Sequence, residues 1–219
     1  MTLPLALIVG AGPGIGLALA QRFAQGGFRV AAIARPTDPL GGFQQALEAL
    51  GVPARVLGAE LASAPALAEA LAAVQAWGGF PEVLAYNASA GAPGPAADLG
   101  AAQLRADFQV NVGAALACVQ WALPAMRQRG RGSLLFTGGG LALQPKPGLA
   151  SACLGKAALR SLAVSLGQEL VAEGIQAGLV TVAGFVQPGT ALTPERVAQA
   201  FWDLHLQAGV GCKYEITIN

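Results

Sequence analysis

The chain has 219 residues, of which 54% are hydrophobic and 11% are charged, and its formal net charge is +1. This length suits a single α/β domain with a substantial core, and we expect residues 1–219 to form one domain. A near-neutral chain without a basic stripe is unlike a nucleic-acid-binding protein. The 3 cysteines lie far apart and resemble neither a disulfide framework nor a metal site. They fit a reducing compartment, so we expect a cytoplasmic protein that holds no metal.

Residues 1–21 carry no charged side chain, which is also a feature of signal peptides and membrane spans. A signal peptide would need a basic segment before its apolar run. A spanning helix would not usually contain the glycines and prolines found between residues 10 and 16. We therefore expect a buried first strand and no membrane association.

Short apolar runs alternate with helical stretches along the whole chain. Strands are predicted near residues 3–9, 28–34, 54–58, 82–86, 132–137, 176–182 and 213–218. Helices are predicted near residues 14–26, 40–51, 64–77, 101–129, 150–173 and 194–208. The strands are apolar nearly throughout, which is typical of strands covered on both faces. The alternation predicts a doubly wound α/β fold with a seven-stranded, mostly parallel sheet between two helical layers.

A glycine cluster follows the first predicted strand and opens the first predicted helix. Gly10, Gly14 and Gly16 are spaced as G-x-x-x-G-x-G, with Gly12 between them and Ile15 at the helix start. Glycines let the backbone approach a diphosphate closely, and the free N–H groups of the first helical turn attract its charge. The cluster predicts a dinucleotide site, and the alternative is a glycine-rich turn without a ligand.

The second predicted strand ends at Ala34 and is followed by Arg35. A carboxylate at this strand end would bind the adenosine ribose and favour NAD(H), whereas an arginine can pair with a 2′-phosphate. The sequence therefore favours NADP(H) over NAD(H). Two alternatives stay open: Arg35 is a solvated loop cation, or Asp38 neutralises it.

Along nearly its whole length, the chain resembles the short-chain dehydrogenase/reductase family, which has a Rossmann-type fold. The glycine spacing described above matches the family motif. Four further segments match the family's adenine-side pair, its Asn-Asn-Ala-Gly segment, its helical asparagine and its catalytic lysine. They are Ala59-Glu60-Leu61, Tyr86-Asn87-Ala88-Ser89, Val110-Asn111-Val112 and Lys156-Ala157-Ala158.

The resemblance implies a role for each matched residue. Glu60 and Asn87 would lie against the coenzyme, and Lys156 would bond the nicotinamide ribose. Asn111 and Lys156 would be the catalytic residues retained from the family. Gly184, which survives from the family's Pro-Gly pair, would let the chain pass the nicotinamide.

Two family positions depart from the pattern. The family's tyrosine lies four residues before the lysine, where the ammonium lowers the phenol pKa so that the phenol can exchange a proton with the substrate. Here that position is Ala152, and the position of the family's serine is Gly139. Tyr86 and Thr137 are possible substitute donors, but packing is the favoured role for Tyr86.

The segment after Gly184 is also short, with about ten residues before the next predicted helix. The family usually places a longer substrate lid there, so this chain is expected to have a more open pocket.

These observations support two hypotheses of different classes. In the first, the chain is an NADP(H)-dependent oxidoreductase that acts slowly on a small carbonyl compound or alcohol. In the second, it binds the coenzyme without hydride transfer, as a sensor, scaffold or non-catalytic subunit. The helix near 150–173 is apolar on more than one side, so we also expect a homodimer or homotetramer.

Overall fold

The predicted strands form one sheet in the computed structural model, which describes residues 3–187, 189–207 and 211–219. The sheet has seven strands in the order β3-β2-β1-β4-β5-β6-β7, and every neighbouring pair is parallel. The strands are β1 (Leu5–Val9), β2 (Arg29–Ala34), β3 (Ala54–Gly58), β4 (Val83–Tyr86), β5 (Gly132–Gly139), β6 (Ile175–Val182) and β7 (Glu215–Ile218). The expected Rossmann-type α/β fold is therefore confirmed.

Within the described residues, seven α-helices connect these strands. They are α1 (Ile15–Gln25), α2 (Leu40–Glu48), α3 (Ala64–Gly78), α4 (Ala101–Phe108), α5 (Ala114–Arg129), α6 (Ala150–Leu170) and α7 (Pro194–His205). Five of the six predicted helices lie at the expected places as single elements. The expected end of the last one, residue 208, is outside the described residues.

The predicted helix at 101–129 is divided, which corrects the sequence-based expectation. Residues Gln109–Gly113 form a π-helical turn between α4 and α5. Asn111 lies inside this turn and is 1% exposed. Such a wide turn displaces the regular hydrogen-bond ladder and frees backbone groups for other contacts.

The strand pattern explains the two-sided core. In β1, Leu5, Leu7 and Val9 face the cluster formed with α3, α5 and α6. Ala6 and Ile8 of the same strand face the opposite cluster, formed with α1 and α7. Because alternate side chains of a strand point to opposite faces, a strand covered on both sides needs apolar residues at every position.

The order of the strands along the sheet changes direction at β1. This strand pairs with β2 on one side and with β4 on the other. In open α/β sheets, ligands bind at the carboxyl ends of the strands where the order reverses. The glycine cluster after β1 and the segment after β4 both lie at this point. Within the described part of the chain, no helix combines the length and apolar character that crossing a membrane requires.

Candidate functional site

The glycine loop after β1 packs tightly on the loop after β4. Gly10 has a φ of +84°, and a Cβ added there would lie 2.3 Å from the backbone nitrogen of Ala88. A Cβ on Gly16 would lie 2.8 Å from the Cα of Ala11, so Gly16 permits close packing of α1 on the strand end. By contrast, a Cβ on Gly12 would meet no atom within 4 Å. Gly12 therefore presents open backbone at the site.

Asn87 ties the ends of three strands together. Its Nδ2 donates to the carbonyl of Gly10 at 2.9 Å, after β1. Its Oδ1 accepts a hydrogen bond from Thr137 Oγ1 at 2.8 Å, on β5. The Thr137 hydroxyl, considered above as a substitute proton donor, thus donates its proton to Asn87.

A cavity of about 830 Å³ opens beside this network. Five of the residues proposed from the sequence to bind a coenzyme line it, namely Gly10, Gly12, Arg35, Glu60 and Asn87. Its walls also include apolar side chains, among them Ile33, Leu40, Phe43 and Leu61. Gly14, Ile15, Gly16, Lys156 and Gly184 are not among its described lining residues. The cavity therefore corresponds to the adenosine and diphosphate half of the expected site.

Arg35 is paired with Asp38 at the mouth of this cavity. The Arg35 Nη2 lies 2.9 Å from Asp38 Oδ1, and Nε lies 3.3 Å from Oδ2. The Arg35 side chain is 76% exposed and that of Asp38 is 22% exposed. The hydrogen bond that Arg35 donates to Asp38 raises the pKa of Arg35, which remains a cation. Of the two alternatives considered for Arg35, pairing with Asp38 is the one found.

Lys156 lies beyond the cavity, at the carboxyl end of β5. Its Nζ donates to the carbonyl of Thr137 at 2.9 Å. Burial lowers the pKa of this lysine to about 8. A Cβ built on Gly139 would lie 3.7 Å from three carbons of the Lys156 stem. A side-chain carbon at position 139 would therefore make ordinary van der Waals contact with the lysine stem.

Ala152 lies one helical turn before Lys156 on α6. A Cβ built on Gly91 would lie 2.7 Å from the Cβ of Ala152, so the loop after β4 closes on this methyl group. The flanking residues are directed elsewhere: Ser151 donates to Asp107 at 2.6 Å, and Cys153 is buried.

Asn111 makes two hydrogen bonds to one backbone residue. Its Oδ1 accepts from the N–H of Ala90 at 2.9 Å, and its Nδ2 donates to the carbonyl of Ala90 at 2.7 Å. Asparagine is mildly unfavourable inside a helical segment, and these two hydrogen bonds give it a specific partner here. The π-helical turn also exposes the carbonyl of Val110, which accepts a hydrogen bond from the Tyr86 hydroxyl.

Tyr86 is a core residue rather than a proton donor at the site. It is fully buried, and burial raises its pKa well above the ordinary value. Its hydroxyl proton is directed to the Val110 carbonyl. This geometry agrees with the packing role that the sequence favoured.

Sequence reasoning missed Asp107, which is a buried carboxylate in the structure. It is 5% exposed and accepts hydrogen bonds from Ser151, from Gln103 and from the N–H of Ala92. Although burial raises the pKa of Asp107, these hydrogen bonds outweigh it and hold the pKa below its ordinary value. Asp107 thereby ties α4 and α6 to the loop after β4. Its signal, an acidic residue in helical register with Asn111, is too general to single out.

The segment after β6 contains Gly184 and runs to the N-cap of α7. Thr193 caps this helix by accepting a hydrogen bond from the N–H of Arg196 at 3.2 Å. Phe185 is 82% exposed and points away from the protein interior. Gly184 lies against Leu192, whose Cδ1 would be 2.6 Å from an added Cβ.

His205 lies at the opposite, amino-terminal end of the sheet. Its Nδ1 is 2.8 Å from Ser133 Oγ, and its ring packs against Phe23, Phe28 and Trp202. Burial lowers the pKa of His205, and the nearby Glu82 carboxylate opposes that shift. This histidine is partly buried against the aromatic side chains and lies at the opposite end of the sheet from the cavity.

The residues at the cavity fit a dinucleotide coenzyme. The glycine loop offers open backbone at Gly12 and leads into the amino terminus of α1, whose first N–H groups have no helical carbonyl to bond. The apolar walls next to Leu61 suit a flat adenine ring. Lys156 supplies a donor beyond the diphosphate end.

Comparison with known proteins identifies the family that the sequence resembles. Residues 4–199 match the family model described as short chain dehydrogenase. The chain is 32% identical to the oxidoreductase asL5 of Sarocladium schorii over 178 residues, which cover 81% of this chain and 70% of that protein. It is 33% identical to human 17-beta-hydroxysteroid dehydrogenase type 1 over 178 residues, or 80% of this chain and 54% of that protein.

Solved structures are similar over almost the entire chain. A metagenomic short-chain oxidoreductase in complex with NADP has a TM-score of 0.87 at 27% identity, covering 98% of this chain and 96% of that one. Acetoin dehydrogenase from Enterobacter cloacae has a TM-score of 0.86 at 23% identity, with 99% and 95% covered, and shows the shared fold. The matched family model, the relatives and the sheet order agree: the chain belongs to the short-chain dehydrogenase/reductase family of NAD(P)-dependent oxidoreductases.

Proposed function

We propose that this chain binds NADP(H) at the carboxyl ends of β1, β2 and β4 and slowly transfers a hydride between it and a small carbonyl compound or alcohol. One observation carries the proposal. A continuous series of hydrogen bonds runs from Gly10 through Asn87 and Thr137 to Lys156. It joins the loop suited to a diphosphate to the lysine suited to the nicotinamide ribose.

The proposed coenzyme contacts begin in the cavity and extend beyond it toward the nicotinamide end. The backbone of the glycine loop would hold the diphosphate, and Arg35 would meet the 2′-phosphate. Glu60 and Asn87 would border the adenosine, and Gly184 would lie beside the nicotinamide. The glycine-loop residues are Gly10, Gly12, Gly14, Ile15 and Gly16.

The bound coenzyme supplies or accepts the hydride, so the protein has to hold the substrate and manage one proton. Lys156, whose pKa burial lowers to about 8, is largely an ammonium at neutral pH and can bond a ribose hydroxyl or a water. Asn111 would act by positioning, since its side chain holds Ala90 in the loop that borders Ala152. The proton would come from water or another non-standard donor.

Slow chemistry follows from two small residues. Ala152 has no phenol to donate a proton, and Gly139 has no hydroxyl to bond a substrate carbonyl. Loss of a general acid typically costs about 10²–10⁴ in rate. The short segment after β6, with Phe185 82% exposed, also gives little protection from water.

The alternative is an NADP(H)-binding sensor, scaffold or non-catalytic subunit without hydride transfer. The same two small residues favour it, because they remove proton donation while leaving the coenzyme contacts in place.

Under both candidate functions, the chain is proposed to form a homodimer or homotetramer, since the apolar side chains of Phe108, Leu116 and Leu154 are 41%, 37% and 49% exposed. Light scattering at several protein concentrations measures that assembly.

Two assays separate the candidate functions. Fluorescence titration with NADPH and NADH measures coenzyme binding, and a panel of small aldehydes, ketones and diketones measures coenzyme oxidation. Turnover that Lys156→Ala abolishes supports the oxidoreductase. Binding without turnover across the panel supports the sensor or scaffold, and absence of binding contradicts both.

Restoring the family residues provides a second test. The double variant Ala152→Tyr with Gly139→Ser replaces the missing phenol and hydroxyl. The serine has room, because its Cβ would lie 3.7 Å from the Lys156 stem. If the rest of the pocket is competent, the double variant gains reductase activity, while Gly139→Ser alone does not. If the double variant folds, binds NADPH and remains inactive, the pocket itself is unsuited to reduction.

A further inference from the structure

The turn after β2 holds a cation and a carboxylate together at the adenosine end of the cavity. The N–H of Asp38 donates to the carbonyl of Arg35 at 3.0 Å, which closes the turn. Pro36 and Pro39 restrict the backbone on either side of Asp38. The turn therefore sets the Asp38 carboxylate beside the Arg35 guanidinium before any ligand arrives.

The pairing with Asp38 occupies one of the two edges of the Arg35 guanidinium through which a phosphate could bind. Both Nε and Nη2 of Arg35 contact Asp38, at 3.3 and 2.9 Å. These two nitrogens form one of the edges through which a guanidinium binds an oxyanion with two parallel hydrogen bonds. A 2′-phosphate must displace the carboxylate, or bind the other edge, formed by Nη1 and Nη2, with a negative charge nearby.

The wider charge balance of the cavity acts in the same direction. Among the lining residues that the structure describes, Arg35 is the one cation, while Asp38 and Glu60 are carboxylates. A 2′-phosphate carries between one and two negative charges at neutral pH. It would therefore enter a region where negative side chains outnumber positive ones.

We propose that Asp38 determines coenzyme specificity by competing with the 2′-phosphate for Arg35, which reduces the preference for NADP(H) and leaves the cavity open to NAD(H). The inference rests on the proposed coenzyme binding and concerns only its adenosine end. The Arg35 side chain is 76% exposed, and exposed ion pairs are weak. The pairing therefore reduces the preference for NADP(H) over NAD(H) without abolishing it.

Two adenosine fragments test this without hydride chemistry. Adenosine 2′,5′-bisphosphate and adenosine 5′-monophosphate differ by the 2′-phosphate alone, and calorimetry on the full chain gives their Kd ratio. In Asp38→Asn, which keeps the size of the side chain and its turn preference, affinity for the bisphosphate should rise about three- to tenfold. Affinity for the monophosphate should stay unchanged. In Arg35→Ala the two fragments should bind about equally, and adding Asp38→Asn should have a smaller effect.

Glu48→Gln is the matched control, because Glu48 is an exposed carboxylate on α2 outside the cavity lining. If this variant changes the ratio as much as Asp38→Asn, the effect is one of overall charge and the inference is wrong. An unchanged ratio in Asp38→Asn, with both fragments bound, also overturns it and leaves the proposed coenzyme binding intact. If neither fragment binds the wild-type chain, the proposed function and the inference both fail.

Discussion

Asn111 forms two hydrogen bonds with the backbone of Ala90: its Oδ1 accepts at 2.9 Å and its Nδ2 donates at 2.7 Å. The first residue lies in the π-helical turn between α4 and α5, and the second lies in the loop after β4. This pair joins two segments that border the proposed nicotinamide end of the site. It also explains why a polar residue occupies a position that is 1% exposed.

Replacing Asn111 should therefore destabilise the fold. Asn111→Ala leaves the N–H and the carbonyl of Ala90 without their partner, and we expect the free energy of unfolding to fall by about 2–4 kcal/mol. Denaturant unfolding measures this loss. Asn111→Asp keeps the acceptor and removes the donor, so its loss should not be smaller, because a carboxylate then faces a carbonyl oxygen. Wild-type stability in Asn111→Ala would contradict a structural role for the pair.

Gly155 on α6 faces the same amide. A Cβ on Gly155 would lie 2.3 Å from Asn111 Nδ2, so Gly155→Ala should cost about 1–3 kcal/mol despite the better helix propensity of alanine. The double variant with Asn111→Ala should lose less than the sum of the single losses, because the clash disappears with the amide. Gly41→Ala on α2 is the control: no atom lies within 4 Å of its Cβ, and a gain of about 0.5–1 kcal/mol is expected. Additive losses would contradict the contact.

Tyr86→Phe tests the assignment of this tyrosine to the core. The variant removes the hydroxyl that donates to the Val110 carbonyl and should lower the free energy of unfolding by about 1–2 kcal/mol. Because the hydroxyl is directed away from the cavity, the Kd for NADPH should change by no more than about twofold. A large loss of coenzyme binding in a well-folded variant would show that Tyr86 belongs to the site.

Lys156 should be less protonated than an ordinary lysine. Because burial lowers its pKa from 10.5 to about 8, the unfolded chain binds the extra proton between those two values, and this residue makes stability rise with pH across that window. Lys156→Met keeps the apolar stem and should remove this rise, which unfolding at pH 8 and pH 10 measures. If Lys156 makes the proposed ribose contact, the variant should also weaken NADPH binding by at least about tenfold. An unchanged pH dependence would contradict the lowered pKa.

His205 predicts a second pH dependence, at the other end of the sheet. Its pKa is lowered by burial, so the unfolded chain binds more protons as the pH falls below the ordinary value of 6.5. Stability is therefore present above that value and lost as the pH falls toward 5, by at most about 1.4 kcal/mol per pH unit. His205→Gln should flatten this slope between pH 6.5 and pH 5 in thermal or denaturant unfolding. Equal slopes in both proteins would assign the effect to other groups.

The layered fold and the place of the glycine loop could be predicted from the amino-acid sequence. Both follow from local properties: a strand covered on both faces has to be apolar at every position, as residues 5–9 are. The first residue after this strand has to be glycine, because Gly10 has a φ of +84° and packs against Ala88. The sequence also shows glycine at position 139 and alanine at position 152, and that these are the family's serine and tyrosine positions stays a prediction.

The folded structure was needed to show which polar groups already form hydrogen bonds within the protein. The sequence predicts the hydroxyls of Thr137 and Tyr86 near the site. In the structure they donate hydrogen bonds to Asn87 and to the Val110 carbonyl, respectively. Asp107 is distant in sequence from Ala92 and Ser151, and folding brings the three together. Hydrogen bonds depend on the position and direction of groups from different elements, whereas strand and turn patterns depend on neighbours along the chain. For this reason the sequence was sufficient to predict the fold. It could raise the pairing of Arg35 with Asp38 only as an alternative.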